Sequence, residues 1–301
     1  MYTSRTRCRT RVEPRSRVPS RARILRRIIS GIGVYGGLVF FLIIMLFPFY
    51  YMLVTSIKPD AEIYDMSQFP LIVKEPTLFQ YQYLLEKTHF LLWLKNSAVV
   101  ATVSTLISLA LGTIAAYALA RLHFKGNQPL GLSVYITYLV PTSLLFLPLA
   151  YVIRQIGLFD NPIALMITYP TFLVPFCTWL LMGYFKAVPR ELEECAMVDG
   201  CTRFHAFRAI VLPIILPGLV SAGLFAFTLS WNEFLYALTL TQSTAVKTLP
   251  VGIVSQLVLG DVYFWGSLMA AAVLGSVPIA IIYSFFLEYY VKGMTAGAVK
   301  G

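Results

Sequence analysis

Six long apolar stretches divide the chain: residues 28–57, 97–120, 130–153, 163–185, 210–238 and 262–287. Five contain no Asp, Glu, Lys or Arg, and the fifth in chain order contains only Glu233. At about 1.5 Å of rise per residue, each is long enough to cross roughly 30 Å of hydrocarbon. None alternates apolar and polar residues as an outer-membrane strand does. A span in lipid must satisfy its own backbone hydrogen bonds, so each stretch is predicted to be helical. The pattern predicts an all-α polytopic membrane protein with six transmembrane helices.

Composition agrees. Of the 301 residues, 58% are hydrophobic and 13% charged, and mean hydropathy is +0.73. A soluble domain carries about 25% charge and has polar surface to spare. Six crossings leave no length for a large catalytic domain. The formal charge of +10 is concentrated in one place. Residues 1–27 hold ten arginines and one acid, Glu13. This is a basic arm beside a first span, the signature of a cytoplasmic anchor near anionic lipid rather than of a nucleic-acid-binding face. With the N-terminus inside, the inner segments hold 18 Lys and Arg and the outer segments 6. That bias places both termini in the cytoplasm. The run after the arm is too long, and too rich in Phe and Tyr, for a cleaved signal peptide. Cys8, Cys177, Cys195 and Cys201 fit no zinc or redox spacing. No catalytic constellation and no metal site is predicted.

Several strings are weak. Gly31-x-Gly33-x-x-Gly36 opens a span and follows no strand, so a dinucleotide site is not expected. Gly126 to Gly131 begins like a phosphate loop, but Leu132 stands where the Lys belongs. Glu233 is the only acid within a predicted span. An ion-coupled secondary transporter, the competing reading, normally needs more such groups. Asn232 and Glu233 stand near the outer end of the fifth span. They either shape a substrate path or are simply exposed at the interface. Outer loop 239–261 is too apolar for a solvated loop, which points to docking or re-entry.

The loop between the fourth and fifth spans is the most informative segment. It contains "AVPRELEECAMVDGCTRFHAFRAIVLPIILPG". Pro189 and the acids Glu191, Glu193 and Glu194 suit a helix N-terminus. Gly200, after Asp199, suits a left-handed helix stop, and Thr202 suits the cap of a second helix. Leu192, Cys195, Ala196 and Val198 form a small apolar stripe, and Ala196 is small enough for a partner to approach its backbone. Physical chemistry alone leaves two readings open: a helix seated in another protein's groove, or an amphipathic connector on the membrane surface.

Glu194-Cys195-Ala196-x-x-x-Gly200, then nine residues, then Ile210-x-Leu212-Pro213, resembles the EAA motif of ATP-binding-cassette importer permeases. Cys195 replaces the first Ala of that motif. "LSWNEFLYALTLT" at 229–241, "FPFYYMLVTSIKP" at 47–59 and "YYVKGMTAGAVKG" at 289–301 are similar to segments of carbohydrate permeases of the MalG type. The resemblance covers about residues 28–301.

The resemblance implies an importer permease fold and a definite organisation. Residues 1–27 form a basic arm, 28–288 a six-helix permease domain with its EAA loop at 187–213, and 289–301 a cytoplasmic tail. Glu194, Cys195, Ala196, Asp199, Gly200, Ile210, Leu212 and Pro213 are then the ATPase-coupling residues. Thr295, Gly297 and Lys300 are tail contacts to the ATPase. The implied partners are a second, different permease chain, two ATPase subunits, an extracytoplasmic solute-binding protein, a sugar and the lipid membrane. No nucleic acid is implied. ATP and Mg are expected in the ATPase subunits and no cofactor in this chain. The implied location is the bacterial inner membrane.

Overall fold

A computed structural model describes the backbone of residues 21–67 and 69–296, and the side chains of 33–67 and 69–288. The chain divides into two compact units between Tyr51 and Met52. The first holds most of α1 (Arg21–Ser56), whose apolar side chains are exposed from Val34 through Tyr51 with few interruptions.

The second unit is helical apart from one hairpin. Short α2 (Asp60–Ile63) and α3 (Phe79–Lys87) precede α4 (Phe90–Arg121). Then come α5 (Asn127–Leu139), α6 (Thr142–Gln155), α7 (Pro162–Thr168) and α8 (Pro170–Ala187). The next group is α9 (Glu191–Val198), α10 (Arg203–Ala206), α11 (Leu212–Ile214), α12 (Leu216–Trp231), α13 (Leu235–Leu240) and α14 (Leu249–Leu257). Strands β1 (Val258–Leu259) and β2 (Val262–Tyr263) pair antiparallel, and α15 (Trp265–Ala296) follows.

Four helical stretches are long and apolar enough to span a membrane: Gly33–Ser56, Phe90–Arg121, Pro162–Ala187 and Trp265–Glu288. Two further pairs qualify only if each bent pair is one span, which would bring the number to six. The predicted third span, 130–153, is broken: α5 and α6 meet at 95°. Val140 is extended ahead of Pro141, because a proline ring crowds the helical conformation of the residue before it. The predicted fifth span, 210–238, bends by 73° near Ile215, between Pro213 and Pro217. It ends at Trp231 rather than Leu238. The sixth begins at Trp265, since Val262 and Tyr263 belong to the hairpin. α1 takes in the last seven residues of the predicted arm, and α15 continues past Glu288 into the predicted tail.

The centre of the unit is α4. Its buried positions include Ser97, Ala101, Ser104, Ser108, Gly112, Ala116 and Ala120, a small-residue seam at helical spacing. Such seams let helices approach closely in lipid, where apolar burial alone does not drive association. At Gly112 an added Cβ would lie 2.7 Å from the Cys177 Cβ and 3.3 Å from the Thr178 backbone nitrogen of α8. Three buried clusters hang on this helix, contributing Val100 to one, Ala116, Leu119 and Ala120 to another, and Phe90, Trp93 and Ala101 to the third. Loop 239–261 is packed in part, with Leu240, Leu249, Val251 and Leu257 buried and 242–245 exposed: α14 packs on α4 so closely that a Cβ at Gly252 would fall 2.1 Å from the Trp93 ring.

Asp160, the single non-glycine residue with positive φ (+58°) among the described residues, ties α6–α7 to the loop after α13. Its Oδ1 accepts from the backbone N–H groups of Gln242 (2.7 Å) and Ser243 (2.9 Å). Slight burial raises its carboxyl pKa. That effect is outweighed by those N–H groups, the Ser243 hydroxyl and Lys247, so the pKa lies below the ordinary value.

Two outcomes follow. Gly112→Ala should destabilise the α4–α8 contact by about 1–3 kcal/mol, because backbone must move to admit the methyl. Gly183→Ala on α8, with open space around its Cβ, should be close to neutral. Thermal unfolding in detergent reads both, and equal stability of the two variants would contradict the seam. Asp160 has a depressed folded pKa, so its stabilisation is present above the unfolded value of about 4 and is lost as pH falls through the folded value. Protease resistance of loop 240–247 in wild type should therefore exceed that of Asp160→Asn at neutral pH and converge with it in acid.

Candidate functional site

The predicted coupling loop forms a helix, a stop and a second helix. α8 ends at Ala187, and Val188 and Pro189 carry the chain out of the helix. The carbonyl of Arg190 accepts from the N–H groups of Glu193 (3.0 Å) and Glu194 (3.1 Å), starting α9. Glu191, Glu193 and Glu194 fill its first turn, where the helix dipole favours acids. The stop at Gly200 has φ +88°. The N–H of Cys201 reaches the Ala196 carbonyl (2.9 Å) and the N–H of Gly200 reaches that of Met197 (3.1 Å). Those two bonds with a left-handed glycine make a complete Schellman motif. Thr202 Oγ1 then accepts from the His205 N–H at 3.3 Å and caps α10.

The helix widens before Pro213. Residues Phe207–Val211 form a π turn, and the Leu212 N–H reaches back five residues to the Phe207 carbonyl. A proline ring would clash with the carbonyl four residues earlier in a regular helix, and the wider turn relieves this. Ile210 and Leu212 are half-buried here and Pro213 is exposed.

The motif residues do not share one face. Glu194, Cys195, Asp199 and Gly200 are exposed. Ala196 is not: it is 6% exposed and faces the protein interior, which corrects the expectation that a partner reaches its backbone. It lies three residues after Glu193, on the same side of the helix, and that side is clamped to α4. The outward apolar groups are Leu192, Val198 (87% exposed) and Phe204 (71%).

Sequence reasoning missed the clamp. Arg121, the last residue of α4, and Glu193 are both buried, with Arg121 Nε 2.9 Å from Glu193 Oε1. This approach is one of charge, without the alignment of a hydrogen bond. Tyr117 donates its hydroxyl to Glu193 Oε2 at 2.9 Å, and Arg121 NH2 donates to the Val188 carbonyl at 2.6 Å. Arg190 adds a contact to the Ala120 carbonyl at 3.4 Å. The available signal was the spacing of Tyr117 and Arg121, one helical turn apart at the end of a span. Three neighbouring glutamates concealed which one they meet.

Asn232 and Glu233 sit in the break between α12 and α13. Asn232 is exposed, and its Nδ2 donates to the Thr228 carbonyl at 3.0 Å. The Glu233 carboxylate is held internally. It accepts from the N–H groups of Tyr236 (2.8 Å) and Ala237 (3.0 Å), capping α13, and from the Tyr169 hydroxyl (3.0 Å). Both residues nonetheless border a cleft of about 410 Å3 with Thr142, Phe172, Thr228 and Tyr236. A second cleft of about 250 Å3 shares Thr142 and Phe172 and adds Thr137, Tyr138, Thr171 and Phe225. Together they form a wall of aromatic rings and hydroxyl groups.

The backbone of Thr295 lies in α15. Its side chain, Gly297 and Lys300 lie outside the described residues, as does most of the basic arm. Among the described residues there is no group of three or more His, Cys, Asp or Glu able to hold a metal ion.

Residues 108–296 match the family described as "Binding-protein-dependent transport system inner membrane component". The chain is 37% identical over 285 residues to the inner membrane ABC transporter permease protein YcjP of Escherichia coli (strain K12), covering 92% of this chain and 99% of that one. It is 36% identical over 284 residues to the trehalose/maltose transport system permease protein MalG of Thermococcus litoralis, covering 93% and 99%. A crystal structure of a bacterial ABC transporter involved in the import of the acidic polysaccharide alginate superimposes with TM-score 0.73 at 20% identity. It covers 90% of this chain and 98% of that one, a likeness of fold.

Gly200 has no atom near its absent Cβ, so a substitution there meets only backbone strain. Gly200→Val should weaken the helix stop by about 1–2 kcal/mol, and Gly200→Asn by less, since Asn tolerates a left-handed φ. Hydrogen exchange at the amides of Gly200 and Cys201 measures this. Equal protection in both variants would rule out a strained stop.

Proposed function

The chain belongs to the family of binding-protein-dependent transport system inner membrane components, and from that premise we propose that it is the permease subunit of an ATP-driven importer of sugars. It sits in the bacterial inner membrane with both termini in the cytoplasm, in keeping with the 18 to 6 distribution of Lys and Arg. A second permease chain completes the pathway. Two ATPase subunits hold ATP and Mg on the cytoplasmic side, and an extracytoplasmic binding protein delivers the sugar.

The observation that carries the coupling role is the outward face of α9. Leu192 and Val198 of α9 are exposed with Glu194 and Asp199, and Phe204 is exposed on α10; the other face of α9 is clamped and its end is capped. Burying each of those apolar side chains in a partner cleft is worth about 1.5–3 kcal/mol. The acids supply orientation and encounter rate more than affinity. Closure of the ATPase pair then moves α9, and the spans alternate between inward and outward access.

The sugar path in this chain runs along the aromatic and hydroxyl wall. Half-buried Phe172, with Tyr236 buried behind it, offers a ring to the apolar side of a pyranose, and Asn232 offers a side-chain amide. Glu233 acts there by shaping the wall, since its carboxylate is already engaged by α13 and Tyr169.

Two measurements test this reading. Membrane-impermeant thiol reagent should modify Glu75→Cys in sealed cells, but native Cys195 only after permeabilisation, because both positions are exposed and the proposed topology puts them on opposite sides. Val198→Asp with Phe204→Asp should lower capture of the ATPase subunit by about tenfold or more, with the permease still in the membrane. Unchanged capture together with unchanged binding-protein-dependent uptake would remove the coupling assignment.

A further inference from the structure

α4 is held at both ends, to segments that lie on opposite sides of the membrane in the proposed topology. At its inner end Arg121 is buried against Glu193 and donates to the Val188 carbonyl at 2.6 Å. These contacts fix α9 and the chain leading into it. At its outer end Asn96 Nδ2 donates to the carbonyls of Ala245 and Lys247, both at 2.9 Å. Ser97 Oγ accepts from the Leu249 N–H at 2.8 Å, and Trp93 Nε1 donates to the Thr244 carbonyl at 3.1 Å. Those contacts fix loop 244–249, which leads into α14.

Between the two joints α4 has no proline and no break in its helix. Every other described span differs: α1, α8 and α15 carry internal prolines at Pro48, Pro175 and Pro278, and the remaining two are bent by 95° and 73°. Prolines and π-bulges are the usual sites at which helices kink, and α4 has neither. From Ser97 to Arg121 the rod is about 36 Å long at 1.5 Å per residue.

We propose that α4 is the connecting rod of the permease, with Arg121 and Glu193 as positioning residues that join α9 to its inner end and Asn96 and Ser97 joining the outer loop to the other. The proposal rests on the coupling reading of α9. Its added content is that ATPase closure reaches loop 244–249 through this helix and this buried ion pair. A buried pair suits such a joint: neither charge can leave its partner without an uncompensated charge in a dry site, so α9 and α4 move together.

The experiment uses the reconstituted transporter with its ATPase, sugar and binding protein. An environment-sensitive fluorophore is attached from outside to Ala245→Cys, whose position is exposed. In wild type, ATP should change its emission. In Glu193→Gln, ATPase capture and basal hydrolysis should remain near wild type while the ATP-induced emission change is lost. Sugar-stimulated hydrolysis should fall by about tenfold, the usual scale of an allosteric coupling. Arg121→Lys, which keeps the charge, should recover part of both. Asn96→Ala with Ser97→Ala cuts the other end and should likewise abolish the signal with capture intact. This second cut keeps the test open if Glu193→Gln fails to reach the membrane. A wild-type signal in either cut variant overturns the rod. Loss of capture in Glu193→Gln also overturns it, since the pair would then merely shape the docking face. Absence of ATPase capture by the wild-type chain would instead overturn the coupling reading itself.

Discussion

Close approach between α4 and α8 is the constraint on which the second unit depends. Lipid tails are as apolar as leucine, so helices in a bilayer gain little from burying leucine against leucine. They gain from contact distance, and distance is set by the smallest side chains. Gly112 against Cys177 sets that distance here, with Ser104, Ser108 and Ala116 extending the seam in both directions. Once α4 and α8 lie this close, the remaining helices have little freedom. Tyr169, at the start of α8, meets Tyr236 of α13, and Leu181 and Phe185 share a buried cluster with Val211, Ile215 and Ala222 on the approach to α12. The seam therefore decides where both the coupling loop and the aromatic clefts can lie.

Prolines divide the labour among the helices. Pro141 turns α5 into α6 and opens the space lined by Thr137, Tyr138 and Thr142. Pro213 and Pro217 turn the chain from the coupling loop into α12, and the π turn ahead of Pro213 is the local adjustment that turn requires. Bends thus occur where the chain must change direction or make room. Among the described spans, α4, with neither proline nor break, is the one attached to other segments at both ends in the ways described. An α4 kinked in mid-span would separate Gly112 from Cys177 and lose the seam that holds the bundle.

What the sequence discloses follows from the range of the interactions. The apolar stretches, the left-handed Gly200 and the Thr202 cap are local: the last two appear at the expected residues, and the stretches appear as helices with two of them broken and some ends shifted. The positions of Pro141, Pro213 and Pro217 are visible in sequence, but proline fixes only its own φ and disfavours one neighbour, so angles of 95° and 73° are not readable from it. The inward turn of Ala196 depends on Glu193 meeting Arg121, residues 72 apart in sequence, and neither period nor motif encodes that pairing. Glu233 shows the same limit from another side. A lone acid in a span reads as a ligand group, yet its oxygens are engaged by the N–H groups of residues three and four further on and by Tyr169.

The disposition of charge bears on where the driving energy enters. An ion-coupled carrier needs a titratable or cation-binding group that changes partners between its two states. Among the described residues the buried acids are already engaged in ways that favour keeping them so: Glu62 with Lys58 and the Lys74 N–H, Glu193 with Arg121 and Tyr117. Half-buried Glu233 holds the start of α13. Releasing any of them would leave a helix end or a buried cation uncompensated, a larger penalty than a single proton or ion gradient comfortably repays in each cycle. Exposed charged and apolar side chains stand together on α9, where Leu192, Val198 and Glu194 are exposed with Asp199 at its end. On the coupling role proposed for α9, work done on the bundle then arrives mechanically, through that short helix, from a protein that binds it.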